Sequence, residues 1–227
     1  MFVGHYAGAF VASGLDKRLS LGAAFVCAQL VDYGWDAFIL TGIEHARLVP
    51  GLPSNPLELY DMPYSHSLVA TFVWAAVAAL LVYLVRRSAK LAAIVAFAVA
   101  SHWFLDLIVH RQDLPLAGNS TMKLGAGLWN QPVLALVVEI AILFAAAAFY
   151  VRRTGAKAGW IAGFVAGLTV VQILTVYGPL PSSLPAMCAT ILVAYTVFAL
   201  AARWIERRAT HGQLSRSSSS PGATSGQ

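Results

Sequence analysis

The sequence predicts an all-α fold: a polytopic membrane helical bundle of about six transmembrane helices, preceded by an N-terminal half-helix. Of its 227 residues 59% are hydrophobic and only 11% are charged, which is far from the composition of a soluble globular domain. Six apolar stretches have the roughly 20 residues needed to cross a ~30 Å hydrocarbon layer. These stretches cover residues 20–43, 65–86, 89–110, 129–151, 158–178 and 185–205.

Each stretch is expected to be a helix rather than a strand. Lipid offers the backbone no hydrogen bonds, so only helices and closed barrels cross it, and none of the stretches alternates as a barrel strand does. Residues 2–13 are also apolar, but Lys17 and Arg18 follow them, whereas a secretory signal peptide begins with its positive charge. We therefore expect a retained half-helix that ends inside the protein.

The chain is predicted to form one membrane helical domain, residues 1–208, followed by a tail. Residues 209–227 are rich in Ser, Gly and Thr and hold too few apolar residues to fold, so we expect a disordered cytoplasmic tail. Most ionisable residues of the predicted spans fall within residues 1–113. That half is expected to carry the functional site.

Positive charges indicate the orientation of the chain. Arg47, Arg111 and Lys123 lie in alternate loops, and the other twelve of the 15 Lys and Arg residues lie before span one, between spans two and three, between spans four and five, or after span six. The positive-inside rule then places the C-terminus in the cytoplasm and loops 44–64 and 111–128 outside. Because the charges are spread between helices, the net charge of +5 does not indicate nucleic-acid binding.

Ionisable side chains inside the spans require an explanation, since each disfavours membrane insertion by about 2.5–3.5 kcal/mol. Counting ~1.5 Å of rise per residue from the positive end of each helix places them at roughly 18–21 Å and 26–30 Å, within the outer half of the membrane. Two of the helices carry such residues four positions apart, which puts both on one helix face. The set consists of His5, Asp32, Asp36, His66, His102 and Asp106.

This combination of imidazoles and carboxylates predicts a divalent metal site. Such donors suit Zn²⁺ first, with Mn²⁺ or Fe²⁺ as alternatives, whereas Ca²⁺ and Mg²⁺ prefer oxygen alone. One ion or two would offset the desolvation of the buried carboxylates. Two alternatives stay open from the residues themselves: a relay for protons or ions, and a hydrogen-bonded network that only joins helices.

Several further residues are candidates for supporting roles. Asp36 is expected to act as a bridging ligand or general base, and an anionic head group is expected to meet His110, Arg111 and Lys123 in the outer loop. Supporting hydrogen bonds to the ligands or the substrate are expected from Ser65, Ser101 and Glu139. Gly159, Gly163 and Gly167 form a small-residue stripe that is expected to pack within the bundle or between protomers of a homo-oligomer.

Four short motifs in residues 1–113 together resemble the YdjM-like family of bacterial inner-membrane proteins. These motifs are Gly4-His5-Tyr6-Ala7-Gly8, the acidic pair Asp32 and Asp36, Ser65-His66-Ser67, and Ser101-His102-Trp103-Phe104-Leu105-Asp106. The sequence departs from the family where Val31 precedes Asp32 and where Met62 stands in place of an Arg. The family is predicted to contain metal-dependent hydrolases distantly similar to zinc-dependent phospholipase C.

The resemblance implies a membrane-embedded metal-dependent hydrolase in the bacterial inner membrane. A bound metal lowers the pKa of water toward 7 and polarises the bond to be cleaved. A site in the outer half of the membrane suits a lipid or lipid-linked phosphate from the outer leaflet. The alternative function is a proton or divalent-ion transporter that uses the same cluster, and a third is a scaffold for a partner membrane protein, favoured only if the site binds no metal.

Overall fold

The computed structural model describes residues 1–210 and shows an all-α chain with two very short hairpins. A 3₁₀ turn, Val3–His5, leads into the first helix. The helices are α1 Tyr6–Leu15, α2 Leu21–Ala28, α3 Leu30–Thr41, α4 Leu68–Arg86, α5 Ala89–Val109, α6 Pro132–Thr154, α7 Ala158–Tyr177 and α8 Leu184–Thr210. The strands are β1 His45–Leu48, β2 Leu57–Asp61, β3 Leu114–Pro115 and β4 Lys123–Leu124.

Five helices within residues 1–210, α4 to α8, are long and apolar enough to cross a membrane. The pair α2 and α3 makes a sixth span if it is counted as one, but it bends by 51°. Five or six helices that could cross a membrane are consistent with the predicted bundle, whereas the single continuous helix predicted over residues 20–43 is wrong.

The bend lies at Gln29, where tertiary hydrogen bonds replace the regular helix. The Gln29 side-chain amide donates to the Phe2 carbonyl at 3.4 Å. The neighbouring Ala28 carbonyl accepts from the His102 ring at 2.9 Å. Side chains that enter the backbone ladder are a common cause of sharp kinks, and apolar periodicity cannot indicate them.

Two boundaries differ from the prediction in ways that affect the site or the tail. Ser67 caps α4 by accepting from the Ala70 amide at 3.0 Å, so His66 precedes the helix instead of beginning the span. Helix α8 continues to Thr210 and thus includes two residues that were assigned to the tail. The rest of the predicted disordered tail, residues 211–227, lies outside the described residues.

The loops at one end of the bundle pack on one another and form a compact layer, the loop cap, which contains residues 43–67 and 110–131. Strands β1 and β2 pair antiparallel, as do β3 and β4. Lys123 Nζ donates to the Tyr60 carbonyl at 3.1 Å, and Ser54 Oγ donates to the Trp129 carbonyl at 2.8 Å. On the cap surface, a hydrogen bond from His45 lowers the pKa of the Asp61 carboxyl.

The opposite end, here called the arginine end, gathers the termini that carry most of the positive charge. Lys17 Nζ donates to the Thr154 carbonyl at 3.3 Å, and the Leu21 amide donates to Glu206 at 3.0 Å. These contacts bring the start of α2 to the ends of α6 and α8. Among the described residues, Lys17, Arg152 and Arg153 therefore lie at the same end of the bundle as Arg207 and Arg208.

Helix α1 lies at the centre of the bundle, against α2, α5 and α6. Phe10 of α1 is fully buried, and its ring lies 5.6 Å from those of Phe25 and Tyr150. Helix α4 is different, since it exposes large apolar side chains such as Val85, 78% exposed. An exposed apolar face of this kind fits lipid rather than water as the surrounding medium.

A close helix contact gives a test of this packing. A Cβ atom added at Gly22 of α2 would lie 2.6 Å from the Ala199 carbonyl oxygen of α8, so Gly22→Ala is expected to destabilise the protein by about 1–3 kcal/mol. A Cβ at Gly163 of α7, or at Gly159 or Gly167, would meet no described atom within 4 Å, so the small-residue stripe that was expected to pack within the bundle makes no close contact among residues 1–210. Gly163→Ala is therefore the matched control.

Thermal unfolding in detergent would compare the two variants with the unmodified protein. We expect Gly22→Ala to lower the unfolding temperature by several degrees and Gly163→Ala to leave it unchanged or raise it, since Ala favours a helix over Gly by about 1 kcal/mol. Equal effects of the two substitutions would contradict the tight contact between α2 and α8.

Candidate metal centre

Four separate segments of the chain bring imidazoles and carboxylates to one place in the bundle. The side chains come from the N-terminal turn, α3, the segment before α4, and α5. Each of these residues is at most 9% exposed, although all are polar. They are His5, Asp32, His66, His102 and Asp106.

The innermost four donor atoms are spaced as ligands of one ion would be. The Nε2 atom of His102 lies 3.4 Å from Asp32 Oδ1 and 3.2 Å from Asp106 Oδ2. The Nε2 atom of His66 lies 3.2 Å and 3.8 Å from the same two oxygens. Two ligands at the ~2.1 Å distance typical of Zn²⁺ are about 3.4 Å apart in a tetrahedron. The four nitrogen–oxygen distances therefore match the spacing expected between ligands of one ion.

The protonation of His102 is set by the bend in the first span. Its Nδ1 atom lies 2.9 Å from the Ala28 carbonyl, which can only accept, so Nδ1 carries the hydrogen. Nε2 then has a free lone pair in the neutral ring, and it has no hydrogen-bond partner among the described residues. A buried lone pair that faces two carboxylates is stabilised by a cation between them.

His66 is oriented in the same way, through a serine. Ser65 Oγ donates to Glu44 Oε2 at 2.6 Å, which uses its one hydrogen. It must therefore accept from His66 Nδ1, 2.9 Å away, and leave His66 Nε2 facing the carboxylates. Glu44 is itself buried and accepts from the backbone amides of Tyr64 and Ser65. A carboxylate that orients a histidine through a hydrogen bond is a common support for a metal ligand.

The second oxygen of Asp106 faces a different group of nitrogens. Oδ1 lies 3.1 Å from His5 Nε2 and 3.3 Å from His110 Nε2, and it also contacts the amino nitrogen of Met1. The Nδ1 atom of His110 pairs with Asp113 at 2.8 Å. The Asp106 carboxylate could thus bridge two donor sets.

Two of the imidazole rings are stacked, which limits their charge. The rings of His5 and His102 are nearly parallel, with centroids 3.6 Å apart. Two cationic rings at this distance in a buried site would repel strongly, so at least one of them is neutral. A neutral imidazole is the form that binds a metal. Both rings belong to one set of three donor atoms within 4.8 Å of one another, which Asp32 completes. His102 also belongs to a second such set, with His66 and Asp106.

The structure places Asp36 away from these donor atoms. Asp36 is fully buried one turn beyond Asp32, beside the Cys188 thiol, and both of its oxygens lack a hydrogen-bond partner in residues 1–210. It belongs to neither set of donor atoms found within the described chain. Its predicted role as a bridging ligand or general base stays a prediction.

The predicted supporting residues divide into one that touches a ligand and two that do not. Ser65 orients His66, as described above. Glu139 instead accepts from the Phe2 and Gly4 amides, at 3.1 and 3.4 Å, and so holds the turn that carries His5. Ser101 donates to the Ala98 carbonyl at 2.8 Å, within its own helix.

Arg111 and Lys123, which were predicted to receive a head group, instead donate hydrogen bonds within the loop cap. Arg111 donates to Asn130 at 3.1 Å and to the Pro53 carbonyl at 2.8 Å. Lys123 donates to the Tyr60 carbonyl at 3.1 Å. The described residues that line the cavity beside the cluster include His110 but neither Arg111 nor Lys123.

That cavity has a volume of about 600 Å³ and begins at Asp32, His66, Asp106 and His110. It extends below the β1–β2 hairpin and between α7 and α8. This volume lies within the ~300–1,000 Å³ range of small-molecule sites. The cluster is thus buried from bulk solvent but connected to a chamber.

Sequence reasoning missed three residues that complete the centre. Glu44 and Asp113 lie in loops and support His66 and His110. Tyr195 of α8 donates to Asp32 Oδ2 at 2.8 Å. A lone tyrosine in an apolar span is a weak signal that could have pointed to this contact; the loop acids have no distinguishing pattern in the sequence.

Comparisons with protein-family models, curated proteins and solved structures give no match to this chain. The similarity to the YdjM-like family therefore rests on the four motifs alone. What the geometry adds independently is a buried cluster of His and Asp residues that could hold a metal ion.

The Ser65 bridge gives a specific prediction for metal affinity. Ser65→Ala removes the acceptor of His66 Nδ1 and should weaken binding of Zn²⁺ by about 10–100-fold, the usual effect of losing such a support. Ser67→Ala is the matched control, because it removes the cap of α4 and costs about 0.5–2 kcal/mol of stability without touching a ligand.

Competition with a fluorescent chelator on purified protein would measure the affinity, with His102→Ala as the variant that removes a ligand. We expect the affinity for Zn²⁺ to be highest in the unmodified protein, followed by Ser67→Ala, then Ser65→Ala, and to be lowest in His102→Ala. If Ser65→Ala and Ser67→Ala bind Zn²⁺ equally well, the hydrogen-bond chain through Glu44 does not support the centre.

Proposed function

We propose that the protein is a membrane-embedded metal-dependent hydrolase that acts on a lipid or a lipid-linked phosphate. The observation that carries this proposal is the convergence of two imidazole nitrogens and two carboxylate oxygens at ligand spacing beside a cavity. We expect Zn²⁺, with Mn²⁺ or Fe²⁺ as alternatives, because the donors are nitrogen and oxygen without thiolate. A second ion would be held by Asp106 Oδ1 and His5 Nε2.

Each residue of the centre has a distinct task in this proposal. His66, His102, Asp32 and Asp106 would hold the ion, and His5 would help to hold the second ion. Glu44 and Tyr195 would orient ligands from outside. A bound ion of this kind supplies a Lewis acid and activates water at neutral pH. His110, in the cavity wall, would contact the group to be cleaved.

A transporter is the alternative that uses the same residues, and the packing towards the arginine end argues against it. The rings of Tyr6 and Phe25 stack there with centroids 4.1 Å apart, and both side chains are fully buried. Phe10 fills the next layer. A path for ions needs polar groups through both halves of the membrane, and this half is packed with aromatic side chains.

The test measures hydrolysis and flux in the same proteoliposomes. Vesicles would contain phosphatidic acid and phosphatidylglycerol, with a Zn²⁺-sensitive dye inside, and would be assayed for inorganic phosphate and released head groups. We expect product release that a chelator stops and that Zn²⁺ restores, without a dye signal above that of protein-free vesicles.

Two variants serve as controls. His102→Ala should release no product, because it removes a ligand of the ion. His45→Ala should retain activity, since this residue lies on the surface of the loop cap and pairs with Asp61. A dye signal without product in the unmodified protein would favour the transporter.

A further inference from the structure

The cavity beside the cluster has a polar end and a long apolar part. Beyond the carboxylates and imidazoles, its walls are formed by one face of α8, with Met187, Ile191 and Ala194, and by Val171 and Leu174 of α7. Residues three, four and seven positions apart share one side of a helix, so these walls are continuous. The shape is that of a site for a molecule with one polar and one apolar end.

Helices α7 and α8 are closed at one end and separated by the cavity at the other. At the arginine end, the rings of Trp160 and Trp204 lie 5.6 Å apart, and the Lys157 amide donates to the Ala209 carbonyl at 3.1 Å. Towards the loop cap, both helices instead contribute to the cavity wall. The gap therefore opens sideways, between two membrane-spanning helices.

The rim of this gap, at the end of α7 and in the loop that follows it, carries exposed apolar side chains. Leu174 is 63% exposed and Leu180 is 54% exposed, and both line the cavity. Above them the β1–β2 hairpin covers the cavity with Leu57 and Leu59, which are buried. The open side thus exposes apolar side chains, whereas the covered side faces the loop cap.

We propose that the gap between α7 and α8 is a binding site for the apolar chain of a membrane lipid, which enters sideways from the bilayer and brings its head group to the cluster. Binding of the lipid chain does not depend on the proposed function. Only cleavage of the head group rests on it. A chain already in the bilayer enters without crossing water, and the walls beyond the cluster are mostly apolar, with Gln172, Thr175 and Thr190 as polar exceptions on α7 and α8.

Adjacent positions on α8 allow a matched test. Ala194 lines the cavity, whereas Val193 is 63% exposed and is not among the described residues that line it. Ala194→Trp would fill the chain site, and Val193→Trp would add the same side chain on the lipid-facing side. Thr175→Trp, on the α7 side of the cavity, is a second blocking variant should Ala194→Trp fail to fold.

The probe is a single-chain phosphate lipid with a diazirine midway along its chain, added to the protein in nanodiscs and activated by light. Mass spectrometry would locate the adducts. We expect them to concentrate on Leu174 and Ile191, to be competed by unlabelled single-chain lipid, and to fall at least tenfold in Ala194→Trp and Thr175→Trp. Labelling in Val193→Trp should equal that of the unmodified protein.

Two results would overturn the proposal: adducts spread evenly over lipid-facing helices, including α4, or equal labelling in the blocking and control variants. Labelling does not need hydrolysis, so it is also measured in His102→Ala. Labelling that persists there without any product would leave the chain site standing and remove the hydrolase. Product release without cavity adducts would support the hydrolase and remove the chain site.

Discussion

The structure depends on one electrostatic constraint: two carboxylates are buried together inside a membrane bundle and need positive charge. Asp32 and Asp106 are almost fully removed from solvent, and imidazole nitrogens lie 3.2–3.8 Å from their oxygens. Isolated ions in such a place are strongly disfavoured, so charge of opposite sign has to accompany them. The Met1 ammonium meets part of this need at Asp106. With the protons of His66 and His102 held on their outer nitrogens, a divalent cation would meet the rest.

The irregular parts of the fold serve this cluster. The bend at Gln29 presents the Ala28 carbonyl to His102, and the segment before α4 carries Ser65 and His66 outside a regular helix. Glu139 and Gln172 hold the amides of the N-terminal turn, which carries His5. The regular spans form the apolar frame around these elements. Deviations from ideal helices are thus concentrated at the candidate site, where strain and polar contacts are expected.

Two features could be predicted from the sequence: the approximate number of spans and five residues of the cluster. Lipid imposes a minimum length on each span, and it makes buried charge costly, so both features leave a signal in the sequence. Spacing also indicated that His102 and Asp106 share a helix face. It could not reveal the bend in residues 20–43, which depends on tertiary hydrogen bonds. Asp36 shares a helix with Asp32, but the bundle turns it towards Cys188, and Arg111 is held by loop carbonyls that have no sequence signature.

X-ray absorption at the zinc edge of the purified, Zn²⁺-loaded protein tests the central claim most directly. The account predicts a first shell of nitrogen and oxygen at about 2.0–2.2 Å, with the outer-shell scattering of at least two imidazoles, those of His66 and His102. Sulfur at about 2.3 Å, or zinc without imidazole scattering, would contradict it.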